Sequence, residues 1–304
     1  MSMETKIPIP PKRVVFRIKR FDPEKKEFYW KEYEIETFRG MTVLDALLKI
    51  KEEEDSTLAM RYSCRMGVCG SCGMVINGMP RLACQTQVGA IATEGNPVVT
   101  VEPLYNHPPI RDLFTDFTGF FEKHKSVKPY IIRKDPQEVE TGDHEFQMLP
   151  EDLDEIYQFT LCISCGLCYS ACPVAASDPL YLGPQALAYA WRYVRDVRDE
   201  GYEERLKIVD TEHGCHRCHF AASCTAVCPK LVDPAMAIQK LRSTLFKKKL
   251  GMWKKKTSSK VGPYSYSGPS RAKIAPQFTE ALLPDVNLEE KEKEEVSLDI
   301  ELPK

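Results

Sequence analysis

The 304-residue chain has no run of about eighteen or more apolar residues, so its sequence predicts no membrane-spanning helix. Its opening, MSMETKIPIPPKR, lacks the apolar block of a secretory signal. A basic excess is missing too: 42 Lys and Arg face 44 Asp and Glu, a formal net charge of −2, which argues against a general nucleic-acid binder. Amide side chains are scarce, with four Asn and eight Gln among plentiful Lys and Glu, a balance that leans towards a thermophilic source. The chain offers no nucleophile, general base or phosphate loop of its own. The glycines of GVCGSCG do not make a dinucleotide fingerprint, which would follow a strand and open a helix. What the chain has in quantity is cysteine, twelve residues of it. Secreted disulfide frameworks staple much shorter chains, so these thiols read as metal ligands in a reducing compartment.

At 43% apolar and 28% charged residues the composition is that of a globular protein, long enough for two domains. VVFRIKRF and FYWKEYEIE, joined by DPEKKE, predict a β-hairpin over residues 14–36. Thr42 is a candidate N-cap for a helix that buries Val43, Leu44, Leu47 and Leu48 and runs to about Glu53. PVVTVEPL, residues 97–104, reads as a closing strand. The repeat of Ile110, Leu113, Phe114, Phe117 and Phe121 predicts a connecting helix. Beyond Leu153 strand signals fade. Leu187, Ala190, Trp191 and Val194 mark one helix, and Asp233 with Pro234 opens another that carries Ile238, Leu241 and Leu245. The fold class is therefore α+β, with an α+β domain over 1–106, a connecting helix and linker over 107–150, a helical domain over 151–250, and a basic then acidic tail over 251–304, extended or poorly ordered.

The cysteines fall into three groups. Cys64, Cys69 and Cys72, with Cys84 further on, have the C-x4-C-x2-C…C spacing of plant-type [2Fe–2S] sites. A short loop wraps one edge of such a cluster while a separate segment closes the other. Gly67, Gly70 and Gly73 let backbone N–H groups come close to sulfur. The second group, CISCGLCYSACP, is the bacterial C-x2-C-x2-C-x3-C-P run, whose fourth cysteine ligates another cluster. A second run ends at Cys224, Cys228 and Pro229. Reciprocal exchange assigns Cys162, Cys165, Cys168 and Cys228 to a [4Fe–4S] cluster, and Cys172, Cys218 and Cys224 to a third centre. Ala221 stands where that centre's middle cysteine belongs, which favours a [3Fe–4S] cluster. Cys215, three residues before Cys218, is the possible fourth ligand of a second [4Fe–4S] cluster instead. Paired C-x2-C motifs also build zinc ribbons, but these do not need the x4-x2 spacing or the two C-x3-C-P endings. Arg65 beside Cys64 and His216 beside Cys215 are candidates for tuning potentials, or else plain loop residues.

The combination resembles the iron–sulfur subunits of succinate dehydrogenase and fumarate reductase, from about Val14 to Leu245, through SCRMGVCGSCGMVINGMPRLAC, IRDLFTDFTGFFEKHKSVKPYI, LGPQALAYAWRYVRDVRDE and CPKLVDP. This resemblance implies a β-grasp ferredoxin domain followed by a helical bacterial-ferredoxin-like domain. It implies a flavoprotein partner that holds FAD and the dicarboxylate site, and a relay of single electrons through the three clusters to quinone. It further implies membrane anchor subunits and a peripheral place on the cytoplasmic face of the cell membrane. Pro173 and His219 match the family's quinone-proximal positions, while Ser177 stands about where the family's Trp belongs. Fumarate reduction uses the same wiring in reverse. A freestanding polyferredoxin is the alternative from another class, and co-purification of a large flavoprotein separates the two. Lys247, Lys248, Lys249, Trp253, Lys254, Lys255 and Lys256 read either as an anionic-lipid contact or as a solvated helix end.

Overall fold

The computed structural model describes residues 8–135, 137–140, 145–258 and 260–261, so the expected tail lies outside the described residues from 262 onward. In β1 (Arg13–Asp22) Val14, Phe16 and Ile18 turn inward, the two-residue period of a strand with one buried face. It pairs antiparallel with β2 (Glu27–Glu36) across the expected turn. α1 (Val43–Lys49) starts at Thr42, whose Oγ1 accepts from Asp45 N at 3.2 Å while Asp45 accepts from Thr42 N at 2.9 Å, a reciprocal capping box. A π turn, Ile50–Glu54, ends the helix and leads into the cysteine loop. β3 (Gly73–Ile76), β4 (Met79–Leu82) and β5 (Val98–Glu102) complete a sheet in the order β2-β1-β5-β3-β4, with β5 parallel to β1. Val43, Leu44, Ala46 and Leu47 share one core with the sheet's inner residues. This is the expected β-grasp arrangement.

Two elements differ from the sequence reading. β3 and β4 form a second hairpin inside what reads as a cysteine loop, turned by Asn77 and Gly78 at φ 47° and 76°, the Asn-Gly pair that a two-residue hairpin turn requires. The connecting helix is shorter than its hydrophobic repeat suggests. Ile110 lies in β6 (Pro109–Arg111) and Phe114 in β7 (Phe114–Thr115), and α2 spans only Thr118–Ser126. The reason is electrostatic as well as steric. Asp112 sits at φ 50°, outside helical geometry, and its carboxylate takes Arg20 Nε and Nη2 at 2.9 and 3.0 Å, both groups buried.

A single turn, α3 (Gln137–Glu140), precedes the helical half, which contains α4 (Pro150–Thr160), α5 (Leu167–Ser170), α6 (Pro173–Ser177), α7 (Pro184–Arg195), α8 (Tyr202–Val209), α9 (Ser223–Ala226) and α10 (Pro234–Lys249). Leu187, Ala190 and Val194 of α7 are fully buried, as are Ile238 and Leu241 of α10. Asp233 caps α10 by accepting from Met236 N at 3.0 Å. Asn106 Nδ2 donates to the carbonyls of Tyr169, Ser170 and Cys172 at 2.9–3.2 Å, closing the end of α5 from the linker side.

The basic stretch at the end of α10 and just beyond it is largely tied inward. Lys248 pairs with Glu203, Lys249 with Asp210 at 3.2 Å and Lys256 with Asp152 at 2.6 Å. Lys255 Nζ donates to Val194 O at 2.7 Å and Asp196 O at 2.6 Å, satisfying carbonyls at the end of α7. Trp253 packs edge-on against Tyr202 at 5.6 Å. These lysines form a strap over the helical half rather than a free cationic face.

Candidate metal centres

The first group of thiols sits on the loop between the π turn and β3. Three left-handed residues, Arg65, Gly67 and Gly70, at φ 59°, 71° and 73°, curl its backbone around sulfur. Val68 N and Cys69 N reach Cys64 Sγ at 3.3 and 3.2 Å, and Ser71 N reaches Cys69 Sγ at 3.4 Å. Such a nest of N–H groups favours negative charge. It lowers the Cys64 thiol to about 6, the N–H groups of Cys69, Met66 and Val68 being the main causes. Cys72 is pushed the opposite way, to about 12, first by burial, with Cys84 as its neighbour. Cys84 is delivered by the turn after β4, where Ala83 N donates to Cys72 O at 3.0 Å. Arg65 lies over the Tyr62 ring at 5.7 Å.

One prediction follows from this asymmetry. In the metal-free chain at neutral pH these N–H groups favour the thiolate form of Cys64, the form that alkylates. Iodoacetamide should label Cys64 well ahead of Cys168, whose thiol burial holds far above its ordinary value. The preference should fade as pH falls below Cys64's own value. Peptide mass spectrometry reads this out, and equal labelling of both thiols at neutral pH contradicts it.

The other groups lie in the helical half on two loops with the same backbone. Ser164 and Gly166 flank Cys165 at φ 52° and 78°, and Phe220 and Ala222 flank Ala221 at φ 58° and 57°. Ser164 N reaches Cys162 Sγ at 3.5 Å, just as Phe220 N reaches Cys218 Sγ at 3.4 Å. Ala221 thus occupies the geometric place of Cys165. Cys162, Cys165, Cys168 and Cys228 line one space between these elements, with Gly166 and Val232. Cys172, Cys218 and Cys224 line another, with Tyr181, His219 and Ala221. Burial pushes Cys165 up to about 12 and Cys224 up to about 11.

Cys215 is fully buried and does not line the second space. Its turn is held from α10 by Arg242, which donates to the carbonyls of Cys215, His216 and Cys218 at 2.9, 2.8 and 2.5 Å. Sequence reasoning missed Arg242, although the stripe Ile238, Leu241 and Leu245 puts residue 242 beside the buried face. His216 Nε2 is engaged by Asp210 Oδ1 at 2.7 Å. Pro173 and His219 border the three-thiol space. Ser177 does not; its Oγ donates to Val174 O at 3.2 Å.

The donors suit a polynuclear group. The thiols ring spaces between loops, with backbone N–H groups turned towards sulfur, an arrangement that suits sulfide-bridged iron. Such an arrangement defines an iron–sulfur electron carrier.

Comparison with known proteins narrows this class. Residues 15–122 match a 2Fe-2S iron-sulfur cluster binding domain, and residues 155–243 match a 4Fe-4S dicluster domain. The chain is 45% identical over 233 residues to the fumarate reductase iron–sulfur subunit of Mycobacterium tuberculosis, covering 76% of this chain and 92% of that one. It is 40% identical over 237 residues to the succinate dehydrogenase iron–sulfur subunit of Paracoccus denitrificans, covering 75% and 86%. Among solved structures, a chain of the Mycobacterium smegmatis Sdh1 complex in its apo form superposes with a TM-score of 0.67 at 28% identity, covering 78% of this chain and 97% of that one. The chain belongs to the iron–sulfur subunits of the fumarate reductase and succinate dehydrogenase family, and is the electron-transfer subunit of an oxidoreductase.

Proposed function

We propose that this chain relays single electrons between a FAD-bearing flavoprotein partner, which interconverts succinate and fumarate, and quinone at a membrane anchor. In this reading residues 1–106 carry the first centre, 107–150 connect, and 151–250 carry the other two. Cys64, Cys69, Cys72 and Cys84 hold [2Fe–2S]; Cys162, Cys165, Cys168 and Cys228 hold [4Fe–4S]; Cys172, Cys218 and Cys224 hold [3Fe–4S]. The observation that carries it is the exchange of cysteines between the two helical loops, with Ala221 at the vacant ligand position. Bound clusters supply one-electron chemistry, which splits the electron pair that a flavin collects.

The chain's own residues do the rest. Thiolates anchor iron at the ends of short helices, backbone N–H groups offset negative charge on sulfur, and burial keeps water from the helical centres. Pro173 and His219 line the three-thiol space, and in this reading quinone approaches the third centre past them. Among the described residues no helix is long and apolar enough to cross a membrane. In this reading anchor subunits hold the complex at the cytoplasmic face.

Low-temperature EPR with iron analysis on the intact complex tests this reading. The expected result is three distinct centres, the third paramagnetic when oxidised and unaltered in Cys215→Ala, together with a co-purifying flavoprotein. An iron-free complex, or loss of the oxidised signal in Cys215→Ala, overturns it.

A further inference from the structure

The two domains meet at a seam between ligand loops. A Cβ built on Gly70 would stand 2.7 Å from Cys165 Cβ, 3.0 Å from Cys165 Cα and 3.4 Å from Ile163 O. A Cβ on Gly73 would stand 3.2 Å from Leu167 Cδ2 and 3.3 Å from Cys165 O. Cys69 and Cys72 flank Gly70 on one side, and Cys165 faces it on the other. The first and second sets of thiols are therefore separated by one backbone-to-side-chain contact. No side chain fits between them.

The facing segment cannot retreat. A Cβ on Gly166 would meet Phe117 Cε1 at 2.7 Å and His107 Nε2 at 3.0 Å, so this loop is packed just as tightly on its far side. His107 stacks on Phe117 with centroids 4.3 Å apart, and the helix that follows is held by Asn106 and by Tyr105 N donating to Ser170 Oγ at 2.9 Å. Gly166 is thus wedged between the seam and a buried aromatic cluster. An added methyl group at position 70 must widen the seam, because close-packed interiors do not yield locally.

On the cluster assignment proposed above, we infer that Gly70 is a positioning residue for electron transfer: its missing Cβ fixes the gap that the electron crosses between the first and second centres. Tunnelling falls off exponentially with that gap, and relieving a 2.7 Å contact to ordinary van der Waals distance takes about an ångström, enough to slow the rate severalfold. Gly70 is also left-handed, and alanine there carries backbone strain unrelated to spacing. Gly78 supplies the control, with the same strain at φ 76° in the same domain but a Cβ direction that meets nothing within 4 Å.

The test compares the full complex carrying Gly70→Ala, Gly78→Ala or Gly73→Ala with the wild type. Power saturation of the reduced first centre's EPR signal reports its magnetic coupling to the second centre, and therefore the distance. Flash reduction reports the rate of transfer between them. Gly70→Ala should weaken the coupling and slow the transfer severalfold, while Gly78→Ala should leave both near wild type. Gly73→Ala, whose backbone is unstrained, should shift both in the same direction by less, and it decides the matter if Gly70→Ala does not assemble. Wild-type coupling and rate in Gly70→Ala, or in Gly73→Ala where that variant decides, overturns the inference while leaving the three centres intact. Absence of the three signals from the wild-type complex would sink the cluster assignment itself.

Discussion

Arg205→Ala should lower the stability of the full chain by about 3–5 kcal/mol, the usual cost of leaving a buried charge without its partner. Arg205 is fully buried on α8, and Nη1 donates to the equally buried Asp199 Oδ1 at 2.6 Å. Its Nε reaches Val127 O and Lys128 O at 3.2 and 3.0 Å, and Nη2 reaches Lys128 O and Tyr130 O at 2.8 and 2.5 Å. One planar fork therefore satisfies a carboxylate and three carbonyls of the linker. Truncation strands the Asp199 carboxylate and Val127 O away from water. Arg205→Lys should recover only part of the loss, because a single ammonium cannot span these directions. Chemical denaturation followed by tryptophan fluorescence measures the effect, and an unchanged midpoint for Arg205→Ala would count against it.

Ala221→Cys should convert the third centre. The backbone around Ala221 repeats that around Cys165, so a thiol grafted there points into the three-cysteine space without rearrangement. Iron content should rise by about one atom per chain, and the oxidised three-iron EPR signal should vanish in favour of a four-iron one. The potential of that centre should fall, since a further thiolate adds negative charge at a buried site. If the oxidised signal and the iron count both persist, Ala221 is not the vacant ligand position.

Much of this was legible from residue types and spacing. The first hairpin, the capped α1, α7 and α10 follow from two- and 3.6-residue periods, and the exchange between the two C-x3-C-P runs is implied by their spacing. The second hairpin was hidden because cysteine ligand spacing overshadowed the Asn77-Gly78 turn within the same stretch. Helical periodicity at Ile110, Leu113 and Phe114 misled, because the carboxylate of Asp112 is drawn to Arg20, more than ninety positions back in the chain. Run length and charge could not show that the lysines at the end of α10 and beyond it find partners on α4, α7 and α8 or just beyond them; only folding brings those elements together. Cys215 was ambiguous for a similar reason, since proximity in sequence to Cys218 says nothing about which way a buried thiol turns.

The crossing of Cys172 and Cys228 between the helical loops also sets a timetable for biogenesis. On the proposed assignment the N-terminal domain can receive its iron soon after Cys84 leaves the ribosome. The third centre cannot be closed until translation has passed Cys224, nor the second until it has passed Cys228, 60 residues beyond Cys168, the last of its three clustered ligands. A nascent chain paused before that point would hold half-built sites with reactive thiols, so delivery of iron to this half is necessarily a late event in the life of the polypeptide.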